Sequence, residues 1–388
     1  MRRFFAAYLS FSCFVAADTT AILPFGNTSG NANLNWIGES IAETLNEALS
    51  GEGLLVVDRE RRDEAYRRLT LRPYAKITRA SVIKIGEQLD VDNILYGQFF
   101  READPSDADK PALRISLRVL DLKRLRQSPE FSESGKLDDL SALQTHLAWQ
   151  ALKYLLPDTA MSEDEFRRRR SPVRVDAIES HIRGLQALSP EQRLRYFSQA
   201  ARLDSAYWQP ALQLGRLHMG KKDWRVAAEW LARVPASAPR YREAAFFLGV
   251  CRYNAADYAG AQAAFRAVLE SIPLNEVYNN LGAALSRTNS PAAIENFRKA
   301  IEGDDSDPVY HFNLGFALWK KGEFDAAADC FRAVLDRVPS DQDATLLLGK
   351  CLKRAGPRPG EPRSEGLERL KFRYEEMVYL QLKSMVEK

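Results

Sequence analysis

Five leucine–glycine pairs recur at nearly constant intervals in the second half of this 388-residue chain. Their glycines are Gly215, Gly249, Gly282, Gly315 and Gly349, separated by 34, 33, 33 and 34 residues. After each of the first four, an alanine follows 11 or 12 residues later, and a large apolar residue follows four residues after that alanine. A period of 33–34 residues is typical of helical hairpins stacked side by side. The pattern predicts close contact between the two helices of each hairpin, with the alanine opposite the glycine.

This spacing resembles that of the tetratricopeptide repeat, and the resemblance covers roughly residues 177–355. It is specific because four positions recur in register, namely leucine, glycine, alanine and the large apolar residue. The resemblance implies an all-α solenoid over residues 176–355, with about five repeats and a partial one. Arrays of this family bind protein partners.

The array is followed by a Pro- and Gly-rich stretch over residues 356–362, where a second helix of the last repeat would otherwise come. Ser364 is a favourable helix N-cap, and apolar residues recur after it at helical spacing. They are Leu367, Leu370, Tyr374, Met377 and Leu382. We therefore predict a C-terminal helix over residues 364–388 that covers the exposed end of the solenoid, as terminal repeats require.

Residues 18–156 alternate between the periods of strands and helices, which predicts a small α/β domain. Strands are expected at residues 21–25, 54–57, 94–100 and 113–122, with Asp104–Lys110 as a polar connection between the last two. Helices are expected around residues 37–49, 59–69, 81–89 and 140–156. Residues 157–175, which contain the run Arg167–Arg170, are predicted to form a charged linker.

The α/β stretch carries the sequence Leu23-Pro24-Phe25-x-Asn27-x-Ser29-Gly30 and, in a later strand, Leu95-Tyr96-Gly97. In this order it resembles the amino-terminal domain of the TolB family and related periplasmic domains. The resemblance implies a module without catalytic residues that is used for protein contact.

Residues 1–17 begin with Arg2 and Arg3, continue with an apolar stretch and end on Val15-Ala16-Ala17. Positive charge, an apolar core and small residues before a cleavage point are typical of a secretory signal peptide. We therefore expect a secreted or periplasmic, envelope-associated protein. A retained membrane anchor is the alternative, although the apolar core is short for a span.

Composition and motifs exclude several other classes. The hydrophobic fraction of 45% is that of a globular protein, and a net charge of +3 is too small to attract nucleic acid. No apolar run long enough to cross a bilayer follows the N-terminal segment. Gly215–Lys221 has the spacing of a phosphate-binding loop, but Lys222 occupies the position that needs Ser or Thr. Neither the histidines nor the cysteines have metal-ligand spacing. We predict no enzyme, no cofactor and no metal.

In the tetratricopeptide register, positions −6, −3, −2, +1, +4 and +5 from each glycine face the groove of the solenoid. This register predicts a partner-binding site formed by Arg216, Tyr253, Asn280, Asn313, Phe316, Trp319, Lys320 and Lys350. Asn280 and Asn313, one repeat apart, resemble groove asparagines of the family that hold the backbone of an extended peptide. The cationic and aromatic neighbours suit an acidic segment.

The sequence thus predicts a non-enzymatic envelope scaffold that binds a protein or an extended peptide through its repeats. The alternative is a membrane-anchored regulatory or sensor subunit, in which the α/β module binds a ligand. The state of the N-terminal segment distinguishes the two, because an anchored sensor retains Met1.

Overall fold

The computed structural model describes residues 18–71, 77–104, 107–358, 364–375, 378, 379 and 382. The predicted signal peptide over residues 1–17 lies outside this range. The described residues form a small α/β region followed by a long run of helices, so the predicted fold class is confirmed. No helix among them is long and apolar enough to span a membrane.

The α/β region contains one seven-stranded mixed sheet. Its strands are β1 (Thr19–Ile22), β2 (Gly26–Asn27), β3 (Leu55–Val56), β4 (Asn93–Asp104), β5 (Asp107–Asp121), β6 (Arg126–Gln127) and β7 (Phe131–Gly135). The main order is β3-β1-β4-β5-β6, while β2 pairs with β4 and β7 pairs with β5. β1 is parallel to both β3 and β4. Parallel neighbours need crossover connections, and the helices between these strands provide them.

Helices cover both faces of the sheet because successive strand residues point to opposite sides. The helices are α1 (Asn35–Gly51), α2 (Arg59–Arg68), α3 (Arg79–Leu89), α4 (Leu140–Leu155) and α5 (Glu163–Arg168). Leu117 and Val119 of β5 belong to the core with α1 and α4, whereas the adjacent Leu120 belongs to the core with α2 and α3. The sheet is therefore buried on two sides by different helix pairs.

The hairpin of β4 and β5 is longer than predicted. β4 continues to Asp104 and β5 begins at Asp107, so most of the polar stretch Asp104–Lys110 is strand rather than connection. The ladder runs from the pair Asn93 and Asp121 to the pair Asp104 and Asp107. Backbone pairing between two adjacent antiparallel strands does not require apolar side chains. The polar composition of this stretch therefore wrongly indicated a connection instead of strand.

Eleven helices follow within the described residues, and consecutive ones pack as hairpins. They are α6 (Val175–Gln186), α7 (Pro190–Leu203), α8 (Gln209–Gly220), α9 (Trp224–Leu231), α10 (Tyr241–Asn254), α11 (Tyr258–Leu269), α12 (Asn275–Arg287), α13 (Ala292–Gly303), α14 (Pro308–Lys321), α15 (Phe324–Arg337) and α16 (Gln342–Leu352). α16 is the first helix of the partial repeat.

At Gly249 and Gly282 the nearest atoms belong to the large apolar residue of the second helix, whereas at Gly215 the backbone oxygen of the predicted alanine, Ala227, also lies 3.4 Å from the Cβ position. A methyl group on Gly249 would lie 2.5 Å from Cε1 of Phe265, and one on Gly282 would lie 2.6 Å from Cε1 of Phe297. The aromatic side chain from the second helix thus fills the space that the missing Cβ leaves. A methyl group on Gly349 of α16 would meet nothing within 4 Å.

The segment predicted as a charged linker packs on the α/β region. Phe166 of α5 is fully buried, and the guanidinium of Arg170 stacks 3.7 Å from its ring centroid. Arg170 also donates to the backbone oxygen of Ala48 at 3.1 Å and to the Glu52 carboxylate at 2.8 Å. Ile178 and Ile182 of α6 share the core of α1. The first helix of the array is therefore also a part of the α/β core.

Candidate peptide-binding groove

The first helices of the later repeats bind residues 364–375, called here the C-terminal segment. We call the surface formed by α10, α12, α14 and the start of α16 the groove. The predicted C-terminal helix beginning at Ser364 is wrong for this stretch, because residues 364–375 are not helical. Helical structure appears only at residues 378, 379 and 382 among the described residues that follow. The segment occupies the groove instead of extending the array as a helix.

Three buried asparagines hold the backbone of the C-terminal segment. Asn313 accepts from the backbone N–H of Arg369 at 2.8 Å and donates to its carbonyl oxygen at 2.7 Å. Asn280 makes the same pair of bonds with Lys371, at 2.8 and 2.7 Å. Asn279 donates to the Arg369 carbonyl at 3.0 Å and accepts from Asn313 at 2.7 Å. We call these three residues the asparagine clamp. Its bonds replace those that a helix would make within the segment.

Two basic side chains of the segment pair with acidic residues of the array. Arg369 makes a bidentate ion pair with Asp341, at 2.6 and 2.9 Å, and its guanidinium stacks 3.5 Å from the ring centroid of Phe312. Lys371 pairs with Asp307. The hydrogen bond from Arg369 lowers the pKa of Asp341 below its ordinary value. Fixed bidentate geometry makes the Arg369 contact the more specific of the two.

Glu368, the acidic residue just before Arg369 in the segment, has a fully buried side chain. Ser286 donates to it at 2.6 Å. Lys320 lies 3.9 Å and Arg287 lies 4.0 Å from its oxygens. A buried carboxylate is costly unless cations and hydrogen bonds surround it. This position of the groove is therefore suited to an acidic residue.

Aromatic contacts continue toward the earlier repeats. Tyr374 meets Phe246 of α10 edge-on, with ring centroids 5.1 Å apart. The ring centroids of Phe372 and Trp224 lie 6.3 Å apart. The backbone N–H of Glu375 donates to Glu276 at 2.9 Å. The segment therefore runs from α14 toward α10, opposite to the order of the repeats in the chain.

The predicted site residues divide into three groups. Asn280, Asn313 and Lys320 contact the segment. Arg216 and Tyr253 lie in the earlier repeats, where Arg216 is 3.5 Å from Glu243 and Tyr253 packs on Tyr258. The burial of Tyr253 raises the pKa of its hydroxyl.

The third group consists of Phe316 and Trp319, which are interior, and Lys350, which is half-buried beside them. Phe316 and Trp319 are fully buried and stacked on one another at 5.8 Å. The indole of Trp319 donates to the carbonyl of Ala355 at 2.8 Å, and Lys350 lies 5.2 Å over its ring. These rings hold the end of α16 in place and are not offered to a partner in this structure.

Sequence reasoning missed Asn279, Asp307 and Asp341. Asn279 stands at position −3 from Gly282, within the same register that selected Asn280. Asp307 and Asp341 accept hydrogen bonds from the first turns of α14 and α16 as N-caps. Aspartate is common at this position for capping alone, which concealed the ion pairs. The chain's own segment brings both signs of charge to the groove, because Arg369 and Lys371 pair with acids while Glu368 lies beside Arg287 and Lys320. The acidic partner stays a prediction.

No group of histidine, cysteine, aspartate and glutamate within the described residues is arranged to hold a metal ion. Cys251, Cys330 and Cys351 are free thiols. Burial raises the pKa of Cys251 to about 12 and that of Cys330 and Cys351 to about 11, which keeps the thiols protonated at neutral pH. A cavity of about 610 Å³ lies between α1 and the array, with Glu47, Arg170, Tyr207 and Arg242 among its lining residues.

Residues 212–276 and 312–356 match the family model of the tetratricopeptide repeat. These two stretches carry tetratricopeptide repeats. Because the family model does not extend to residues 18–156, their resemblance to the TolB amino-terminal domain stays a prediction.

Several solved structures are similar to parts of this chain. MamA (residues 41 to the end) from Desulfovibrio magneticus RS-1 is 27% identical over 41% of this chain and 92% of its own, with a TM-score of 0.37. YrrB, described as having an unusual peptide-binding site, is 17% identical over 50% and 92%, with a TM-score of 0.36. PilF of Pseudomonas aeruginosa is 20% identical over 49% and 95%, with a TM-score of 0.36. The curated proteins give no match.

Proposed function

We propose that this chain is a non-enzymatic scaffold whose tetratricopeptide groove binds an extended segment of a protein partner. The observation that carries the proposal is the asparagine clamp, in which Asn313 and Asn280 each bond both backbone groups of one residue. Backbone bonds of this kind accept an extended chain from any protein, while the side-chain contacts select among sequences.

A synthetic peptide of residues 364–382 is the probe for this function. The receptor is the full chain with Arg369→Glu and Lys371→Glu, because both new acids face Asp341 and Asp307 and release the chain's own segment. We expect fluorescence anisotropy to show saturable binding of the labelled peptide. Adding Asn280→Ala and Asn313→Ala removes four backbone bonds at roughly 1 kcal/mol each, so affinity should fall at least about tenfold.

Asn296→Ala is the matched control, because Asn296 is partly exposed on α13 and, among the described residues, its side chain donates to Ala292 of its own helix. Circular dichroism checks that each variant keeps its helical content. The proposal fails if the peptide does not bind the receptor, or if the asparagine pair variant binds it as well as the control does.

We further propose an envelope location, supported by the sequence of residues 1–17. N-terminal sequencing of the mature chain after cell fractionation tests it. A chain that starts near Asp18 in the periplasmic fraction supports the scaffold. An intact Met1 in the membrane fraction supports the alternative of an anchored sensor.

A further inference from the structure

The groove binds the segment with a fixed register of two residues per repeat. Asn280 and Asn313 are 33 residues apart, which is one repeat, and they hold Lys371 and Arg369, which are two residues apart. In an extended chain every second residue directs its backbone groups to the same side. The two repeats that begin with α12 and α14 therefore hold alternate residues of the occupant.

Each backbone subsite has an acidic partner on the following repeat. Asn313 on α14 is combined with Asp341 at the start of α16, and both bind Arg369. Asn280 on α12 is combined with Asp307 at the start of α14, and both bind Lys371. The two subsites thus have the same design, one repeat apart. Each one selects a cationic side chain on the residue whose backbone it holds.

The residue before the first cation enters a subsite of opposite charge. Glu368 is fully buried against Ser286, with Lys320 and Arg287 nearby. A lysine or arginine placed there would bury a third positive charge beside two partly exposed cations, which is unfavourable. The groove therefore favours an occupant in which an acidic residue directly precedes a basic one over an occupant with the reverse order.

Leu370, between the two cations, is partly buried against the core of the array. From this geometry we infer that the groove selects an extended segment with the order acid, base, apolar residue, base, and that the C-terminal segment is a built-in competitor of that pattern. The inference rests on the proposed function and names its partner class. A partner binds only after the C-terminal segment leaves the groove. Its apparent affinity is reduced by the fraction of chains with an open groove, so an open fraction of about 1% weakens binding about 100-fold.

Competition is tested with the same labelled peptide on the wild-type full chain. We expect binding at least about tenfold weaker than to the chain with Arg369→Glu and Lys371→Glu. Equal affinity for both chains overturns the built-in competitor but leaves the proposed function standing. Binding to neither chain overturns both.

The charge pattern is tested by reversing the sign of both ion pairs within the full chain. Asp307→Lys with Asp341→Lys should release the segment, seen as faster hydrogen exchange of the Arg369 and Lys371 amides. Adding Arg369→Glu and Lys371→Glu should restore slow exchange, because each ion pair is re-formed with reversed sign. Asp257→Lys is the control for a lost N-cap, since Asp257 caps α11 and is largely exposed. If the variant with all four substitutions still shows fast hydrogen exchange at these amides, the charge pattern does not select the occupant.

Discussion

Gly282 lies where any side chain would enter the space of Phe297. A Cβ atom there would be 2.6 Å from Cε1 of the ring, well inside van der Waals contact. We expect Gly282→Leu to lower the free energy of unfolding by about 1–3 kcal/mol, as overpacking does. Urea denaturation followed by circular dichroism measures this loss.

Gly349→Ala provides the contrast, because a methyl group at Gly349 meets nothing within 4 Å. Alanine is the better helix former, so this change should stabilise by up to about 1 kcal/mol. Equal destabilisation by both changes would show that helix propensity and packing were misjudged at these positions.

His181 is a buried titratable residue at the junction of the α/β region and the array. Its ring lies between those of Phe197 and Tyr207, with centroids 5.4 and 5.2 Å away. Burial, with Arg59 and Arg240 nearby, lowers the pKa of His181 to about 3. Unfolded chains take up this proton below about pH 6.5, so the stability contribution is complete above that pH and is lost on acidification.

We expect His181→Phe to make stability less sensitive to acid between pH 6.5 and 5, where the histidine costs up to about 1.4 kcal/mol per pH unit. Urea midpoints at pH 7.0 and 5.5 measure the difference. If the variant loses as much stability on acidification as the wild type does, other titratable groups cause the pH dependence.

Glu47 on α1 has the opposite pH dependence. Burial raises its pKa to about 7, against the attraction of Arg240 and Arg170 and with repulsion from Glu43. The folded chain keeps this proton while the unfolded chain releases it above about pH 4.5. The contribution is therefore complete below pH 4.5 and is lost as pH rises through 7. Glu47→Gln should be stabilised relative to the wild type at pH 7.5 but not at pH 4.5, by the same urea measurement.

At the scale of elements, the C-terminal segment shows where sequence patterns stop being sufficient. Leu367, Leu370 and Tyr374 have helical spacing, yet the backbone there is not helical. Local periodicity does not include the asparagines about 56 and 91 residues earlier that satisfy this backbone. The repeats themselves were predictable because their signature is carried by contacts within each hairpin.

The site was predictable in part for the same reason. Asn280 and Asn313 were found because a groove position is fixed by distance from the repeat glycine. Trp319 and Phe316 also stand at positions that face the groove in the tetratricopeptide register. Both are large, and the C-terminal end of α16 packs close to them, so they are buried. Whether a ring faces a partner or the core depends on neighbours that the register does not specify.

Trp319 fixes the end of α16 through one hydrogen bond. The fully buried Trp319 donates its indole N–H to the carbonyl of the half-buried Ala355 at 2.8 Å. Trp319→Phe keeps an aromatic ring but removes this hydrogen bond, at a cost of about 0.5–1.5 kcal/mol. We expect faster hydrogen exchange confined to α16. Trp230→Phe, on the partly exposed face of α9, should leave exchange in α16 unchanged.

At the scale of the whole molecule, the two regions share a core across their predicted boundary. Ile178 and Ile182 of α6 pack with α1, although both follow residue 175. A fragment of residues 18–174 would expose their partners, at roughly 1.5–3 kcal/mol for each large apolar side chain. We expect the fragment 18–203 to melt cooperatively and at a higher temperature. Equal melting temperatures for the two fragments would place the boundary where the sequence predicted it.

The long sequence separation between the asparagine clamp and the C-terminal segment has a consequence for synthesis. Asn280 leaves the ribosome 91 residues before Lys371, its bonding partner. At 5–20 residues per second, this interval lasts about 5 to 20 s. Repeats that fold as they emerge would present an empty groove during that time. A newly made chain is thus most open to an extended ligand before its own translation is finished.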